Sequence, residues 1–210
     1  MSIAPKLVTI FGGSGFVGRY VAQRMAKEGW RVRVAVRRPN EALFVKTYGD
    51  VGQVEPILAN IRDEKSTRAA IIGADAVVNC VGILNETSKQ KFTDLQSKGA
   101  SQIAKLATEC GVKTFVHFSA IGADIKSQSK YLKSKAEGEE LVKASFKNAV
   151  ILRPSIVFGA EDQFFNRFAT MAKLSPLIPL VGGETKFEAV YVDDIAKAAV
   201  CDPAPATLLL

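Results

Sequence analysis

Two periods of apolar residues run through this chain. Short runs such as Leu7-Val8-Thr9-Ile10-Phe11 are apolar at nearly every position, whereas stretches such as Phe16 to Glu28 repeat their apolar residues (Val17, Val21, Met25) along one helical face. The first pattern fits strands and the second helices. Strands are predicted at residues 7–11, from 31, at 54–58, 76–81, 114–119 and near 150–152, and helices at 16–28, 63–72, about 91–109, 131 to about 144 and after Asp162. Gly29 closes the first helix as a left-handed cap, and Gly73 and Gly111 mark the ends of two more. Residues 41–48 read as short helical or irregular, and Val190-Tyr191-Val192 leads to a last helix over 195–200 with Asp194 as N-cap. Pro203 to Leu210 carries no assignment. The regular alternation of strand and helix predicts an α/β protein built on a parallel sheet with helices on both faces, and the run from Ala76 to Val81, apolar on both faces, predicts a central strand.

The connection between the first strand and helix is Gly12-Gly13-Ser14-Gly15-Phe16-Val17-Gly18. Glycines there allow a tight turn, let backbone approach a pyrophosphate at the positive end of the following helix, and let strand and helix pack closely. This is the βαβ unit of a doubly wound Rossmann sheet. The strand beginning at Arg31 should then end in an acidic residue about 20 positions past the glycines if the ligand is NAD. Arg37 and Arg38 stand there instead. A carboxylate repels a ribose 2′-phosphate, whereas a guanidinium offers it a fork of donors. The expected cofactor is NADP(H), preferred over NAD(H), with Arg37 the stronger candidate and Arg38 also readable as a solvated strand end.

A second constellation follows the fifth strand, where Ser119 precedes Tyr131-Leu132-Lys133-Ser134-Lys135. Positions i and i+4 share a helix face. An ammonium there favours phenolate, so the Tyr131 hydroxyl is expected to titrate below its ordinary ~10 and to serve as a general acid or base. Lys135 can also hold the nicotinamide ribose, and Ser119 lies at the strand edge where open α/β sheets bind ligands.

With these residues the chain resembles the short-chain dehydrogenase/reductase superfamily in its extended and atypical branches, over about Lys6 to Val200. Further matching segments are Asp75 to Gly82, similar to the strand under the cofactor, Arg153-Pro154-Ser155-Ile156-Val157-Phe158-Gly159 at the nicotinamide end, and Val190 to Ala196. The resemblance implies cofactor contacts from Gly12, Ser14, Gly15, Phe16, Val17, Gly18, Arg37, Arg38, Asn60, Ile61, Cys80, Val81, Gly82, Ser119, Tyr131, Lys135, Pro154, Ser155 and Ile156. Asn60-Ile61 stands where many relatives carry an aspartate for the adenine. Residues 1–160 are expected to form the dinucleotide-binding domain, and 161–210 a partial, truncated C-terminal lobe that returns a strand and helix to it. A narrower likeness over residues 123–139 and 158–166 is to the NADPH-binding accessory subunits of respiratory complex I and their bacterial relatives, which implies tightly held NADPH in a structural role and complex I subunits as partners. The rival reading is a working oxidoreductase or epimerase with an unidentified small substrate and Ser119, Tyr131 and Lys135 as its catalytic residues.

Composition narrows this only at the margins. At 210 residues and 48% hydrophobic, one good core is expected. No run approaches the ~18 apolar residues of a membrane span. The short lead before the first strand leaves no room for a targeting segment, and Cys80, Cys110 and Cys201 suggest neither a disulfide framework nor a zinc site. A reducing, cytoplasmic setting is expected, or the matrix for a processed organellar protein. The net charge of +7, with lysines concentrated over residues 126–147, reads first as a solvated helix face and otherwise as a surface for an acidic partner or an anionic membrane. No aromatic platform is interleaved with the lysines, which argues against nucleic acid, a property of some atypical relatives. His117 reads as a satisfied core histidine, Phe164, Phe165 and Phe168 as packing, and Cys80 as a small residue tolerating close approach rather than a reactive thiol.

Overall fold

The computed structural model describes residues 5–174, 184, 186–201 and 207–210. In chain order its elements are β1 (Leu7–Phe11), α1 (Phe16–Lys27), β2 (Arg31–Val36), β3 (Val54–Leu58), α2 (Glu64–Ile71), β4 (Ala76–Asn79), α3 (Gly99–Glu109), β5 (Thr114–Phe118), α4 (Lys130–Ser145), β6 (Val150–Arg153), β7 (Ile156–Phe158), α5 (Phe165–Leu174), β8 (Ala189–Tyr191), α6 (Val192–Val200) and β9 (Thr207–Leu209). Seven of the strands pair in parallel in the order β3-β2-β1-β4-β5-β6-β9. This is the doubly wound Rossmann α/β fold.

Alternation within the strands sends side chains to two cores. One face gathers Val8, Ile10, Val34, Val78 and Val116 with Val21 and Met25 of α1 and Ile195 of α6; the other gathers Phe11, Val77, Phe115 and Ile151 with Ile71 of α2 and Ile103 and Leu106 of α3. β4 is buried at all four positions. Gly29 has a φ of 80°, the left-handed cap read from the sequence, and Gly73 and Gly111, read as helix ends, adopt the same conformation at 77° and 72°. Asp63 accepts from the backbone N–H groups of Lys65 and Ser66, satisfying two donors that the start of α2 leaves open.

Several local expectations change. Residues 39–48 form a 3-10 helix, and residues 93–98 form a π turn that continues into α3. Asp194 is not an N-cap: α6 begins at Val192, buried with Ile195, Ala196 and Ala199, and Asp193 turns back from its first turn to pair with Arg24 of α1 through both carboxylate oxygens. Packing against α1 thus sets the helix start. The unassigned end of the chain supplies β9, which lies beside β6 with Leu208 and Leu210 against the core; residues 202–206 lie outside the described residues. Ile156–Phe158 pairs with Ala189–Tyr191 in a separate parallel ribbon. Phe165 and Phe168 do not enter a core: α5 has no buried residue, and the rings of Phe158, Phe164, Phe165, Phe168, Phe187 and Tyr191 stack on one another instead.

Candidate functional site

The strand order reverses between β1 and β4, and the glycine turn leaves β1 at that point. Open α/β sheets bind their ligands in the crevice beyond such a reversal. Gly12 has a φ of 74°, and a Cβ on it would stand 3.2 Å from both the carbonyl carbon and the oxygen of Cys80. Backbone therefore meets backbone across the crevice. A Cβ on Gly18 would fall on the Gly12 carbonyl and 2.8 Å from the Gly13 Cα, so α1 can begin this close to the turn only with glycine there. Gly15 is the N-cap of α1 without a side-chain cap, and the first turn carries no acidic residue. The first N–H groups of a helix have no intrahelical acceptor, and here they face the turn with the positive end of the helix dipole behind them.

At the end of β2 the two arginines differ. Arg38 pairs with Glu41 at 2.9 Å, with both side chains largely exposed. Arg37 is exposed and has no ion-pair partner among the described residues. Asn60 and Ile61 follow β3; the Asn60 carboxamide oxygen accepts from the Arg62 N–H at 3.2 Å, and Ile61 is buried. Pro154 is buried after β6 and its carbonyl accepts from Ile121, Ser155 donates its N–H to Leu210, and Ile156 opens β7. These three groups occupy three separate carboxyl ends of the sheet.

The centre of the crevice is buried and basic. Lys135 is 4% exposed, and its ammonium donates to the Phe118 carbonyl at 3.0 Å, one residue before Ser119. A Cβ on Gly82 would meet the Lys135 Nζ at 3.3 Å. Burial lowers the Lys135 pKa to about 8 against the weaker opposing effects of Cys80 and Glu139. Ser119 is 5% exposed, and its Oγ has no hydrogen-bond partner among the described residues. A buried hydroxyl left unpaired is costly. This one fits a group delivered by a ligand.

Tyr131 does not behave as the i, i+4 spacing predicts. Its ring packs edge-on to Phe92 at 5.9 Å, and burial raises the hydroxyl pKa rather than lowering it. Lys135 donates to the Phe118 carbonyl, and no hydrogen bond joins it to Tyr131 among the described residues. Burial likewise pushes the Cys80 thiol up to about 12, in keeping with a close-packing rather than a reactive role. His117 is half satisfied. The Val81 N–H donates to the Asn79 carboxamide oxygen, so the amide presents its NH₂ to the His117 Nδ1 at 3.1 Å. Burial, aided by Lys135, holds the imidazole neutral with a pKa near 3, which places its proton on Nε2. That nitrogen is buried without a hydrogen-bond partner among the described residues.

Lys135 makes stability depend on pH in a known direction. Between its folded value of about 8 and its ordinary value of 10.5 the unfolded chain holds a proton that the folded chain has released. Stability from this group therefore rises with pH across that window, by on the order of 3 kcal/mol, and is lost as pH falls through 8. Thermal unfolding of the wild type and Lys135→Met from pH 7 to 10 should show the rise in the wild type alone; parallel curves would contradict it.

The glycine cradle, the uncapped helix start and the unpartnered Ser119 hydroxyl suit a dinucleotide. Sequence reasoning missed Arg19, whose guanidinium reaches the carbonyls of Ser14 and Gly15, although a basic residue directly after Gly18 was there to be read.

Comparison with known proteins gives the chain a family and a fold. A sequence profile of the NAD dependent epimerase/dehydratase family matches residues 8–201. The NADH dehydrogenase (ubiquinone) 1 alpha subcomplex subunit 9, mitochondrial, of Arabidopsis thaliana is 37% identical over 202 residues, 95% of this chain and 50% of that protein. The chain thus spans about half the length of that relative. The ceramide reductase of Caulobacter vibrioides is 28% identical over 194 residues, 92% of this chain and 60% of that protein. Among solved structures, the Bordetella bronchiseptica enzyme WbmG in complex with NAD superposes with a TM-score of 0.76 at 16% identity, over 99% of this chain and 73% of that one, a likeness of fold. Among the described residues no helix is long and apolar enough to cross a membrane.

Proposed function

Because the chain belongs to the NAD dependent epimerase/dehydratase family, we propose that it binds NADP(H) at the β1–β4 crevice and acts as an accessory or assembly subunit of the complex I type, holding the nucleotide for structure rather than turnover. The glycine turn and the start of α1 would take the pyrophosphate, Arg37 the 2′-phosphate, Asn60 and Ile61 the adenine side, and Gly82, Lys135 and the Pro154–Ile156 segment the nicotinamide riboside. Residues 161–210 would form a partial C-terminal lobe that returns α6 and β9 to the Rossmann core. The mitochondrial relative supports complex I subunits as the partner, and a mitochondrial location would go with them. The nucleotide, when bound, supplies a hydride that the chain need not use; binding to the folded state alone stabilises it by mass action.

One observation favours the structural role. Burial raises the Tyr131 hydroxyl pKa, against the lowering a general base needs, and the hydrogen bond found for Lys135 among the described residues goes to the Phe118 carbonyl. The enzyme reading draws on the ceramide reductase and on Ser119, whose free hydroxyl suits a substrate oxygen. In that case Tyr131 would exchange a proton with the substrate and Lys135 would grip ribose.

The test begins with mass spectrometry of the nucleotide that co-purifies. NADPH is expected, unconsumed by aldehydes, ketones or ceramide-type substrates, and the protein should be recovered with solubilised complex I. Steady NADPH oxidation abolished by Tyr131→Phe would instead establish the enzyme. In Arg37→Ala, NADPH affinity should fall about tenfold or more with NADH affinity little changed, since a charge-assisted hydrogen bond contributes ~1.5–3 kcal/mol. Equal losses would remove the 2′-phosphate from the assignment.

A further inference from the structure

Arg19 lies outside the residues that a dinucleotide fingerprint assigns. Its side chain folds back from the first turn of α1, with Nη2 donating to the Ser14 carbonyl at 3.1 Å and Nε to the Gly15 carbonyl at 3.4 Å. The guanidinium also lies 5.0 Å over the Phe44 ring. Phe44 belongs to the 3-10 helix that opens at Pro39, directly after Arg37 and Arg38. Arg19 therefore joins the glycine turn to the segment following β2, and in this fold the adenosine ribose lies between those two walls.

A guanidinium has five N–H donors, and the two carbonyls occupy two. Arg19 has one acidic neighbour among the described ion pairs, Glu161, at 3.5 Å from Nη1. That separation exceeds the ~2.7–2.9 Å of a charge-assisted hydrogen bond. Glu161 is itself held by the Tyr20 hydroxyl at 2.8 Å. The Arg19 side chain is 26% exposed, open enough to meet a ligand and packed enough to be oriented. Arg38, by contrast, is committed to Glu41 at 2.9 Å.

We propose that Arg19 is a second specificity-determining residue for the adenosine 2′-phosphate, acting with Arg37 from the opposite wall, and that Glu161 is a carboxylate competing with the phosphate for it. This deepens the NADP(H) reading and rests on it. A phosphate dianion carries more charge than a carboxylate and takes two parallel N–H bonds, so it displaces Glu161 from the Nη1 edge. The two carbonyl bonds keep the guanidinium in place.

The experiment is calorimetric titration of the full chain with NADPH and with NADH, which differ only in the 2′-phosphate. The wild type should bind NADPH at least about tenfold more tightly. Arg19→Ala should weaken NADPH about tenfold more than it weakens NADH, while Glu161→Gln should strengthen NADPH by roughly two- to fivefold relative to NADH. Arg19→Lys keeps the charge without the fork and should lie between the wild type and Arg19→Ala; with Glu161→Gln it carries the test if Arg19→Ala does not fold. A wild type without NADPH preference would sink the cofactor reading itself. A wild type whose preference is cancelled by Arg37→Ala but untouched by the Arg19 and Glu161 variants would overturn this proposal alone.

Discussion

A Gly18→Ala variant is expected to unfold roughly 6–12 °C below the wild type and to lose detectable NADPH binding. The added methyl would fall on the Gly12 carbonyl oxygen and 2.8 Å from the Gly13 Cα, both backbone atoms with no rotamer to escape into. Gly12 cannot yield, because its N–H donates to the Ala35 carbonyl at 3.1 Å and its own Cα faces the Cys80 backbone. The helix start must therefore move away from the turn, and the N–H groups that face a pyrophosphate move with it. Overpacking costs ~1–3 kcal/mol and reaches the upper end where backbone must shift; in a domain of this size each kcal/mol lowers the midpoint by ~2–4 °C. Gly29→Ala is the control, since a Cβ there meets nothing within 4 Å and only its left-handed φ is strained. It should lose ~1–2 kcal/mol and bind NADPH normally. Circular dichroism melts and calorimetric titration measure both effects, and an NADPH-competent Gly18→Ala protein would detach the glycine turn from function.

The parts of the site legible in the sequence are those fixed by local chemistry. The glycine turn is contiguous, the helix ends at Gly29, Gly73 and Gly111 depend on one φ each, and Arg37 follows directly from the end of a strand. Features decided by distant partners were not legible. Tyr131 and Lys135 share a helix face as the spacing requires, but the ammonium donates to a carbonyl on β5, and burial raises the tyrosine pKa. β9 is a three-residue strand whose partner is more than fifty positions earlier, too short for a period to register. Asp194 fits every local rule for an N-cap. The apolar face that α6 lays on α1, including Val192, overrules it. Arg19 was open to reading as an ordinary helix-surface cation, and only the fold brings Phe44 beneath it.

The largest loss of stability from a single side chain is expected at Arg153. Glu139 on α4 is 3% exposed, and its two oxygens accept from Arg153 Nε at 2.8 Å and Nη2 at 2.7 Å. The carboxylate has little water to fall back on. Arg153→Met would leave that charge buried and alone, a change that typically costs ~3–5 kcal/mol, whereas removing both charges with well-packed replacements is often neutral. The single variant should therefore melt roughly 10 °C or more below the wild type, and Arg153→Met combined with Glu139→Leu should regain most of that loss. The pair also reaches the crevice: Glu139 lies one helical turn from Lys135, and its charge raises the lysine pKa against the effect of burial. With Glu139→Gln the pH at which Lys135 contributes should move below its present value of about 8, and the rise in stability with pH should begin earlier. Melts of these four proteins across pH 6 to 10 separate the two effects. A double variant no more stable than Arg153→Met would show that the arginine acts through packing, and an unmoved pH profile in Glu139→Gln would uncouple the ion pair from the crevice.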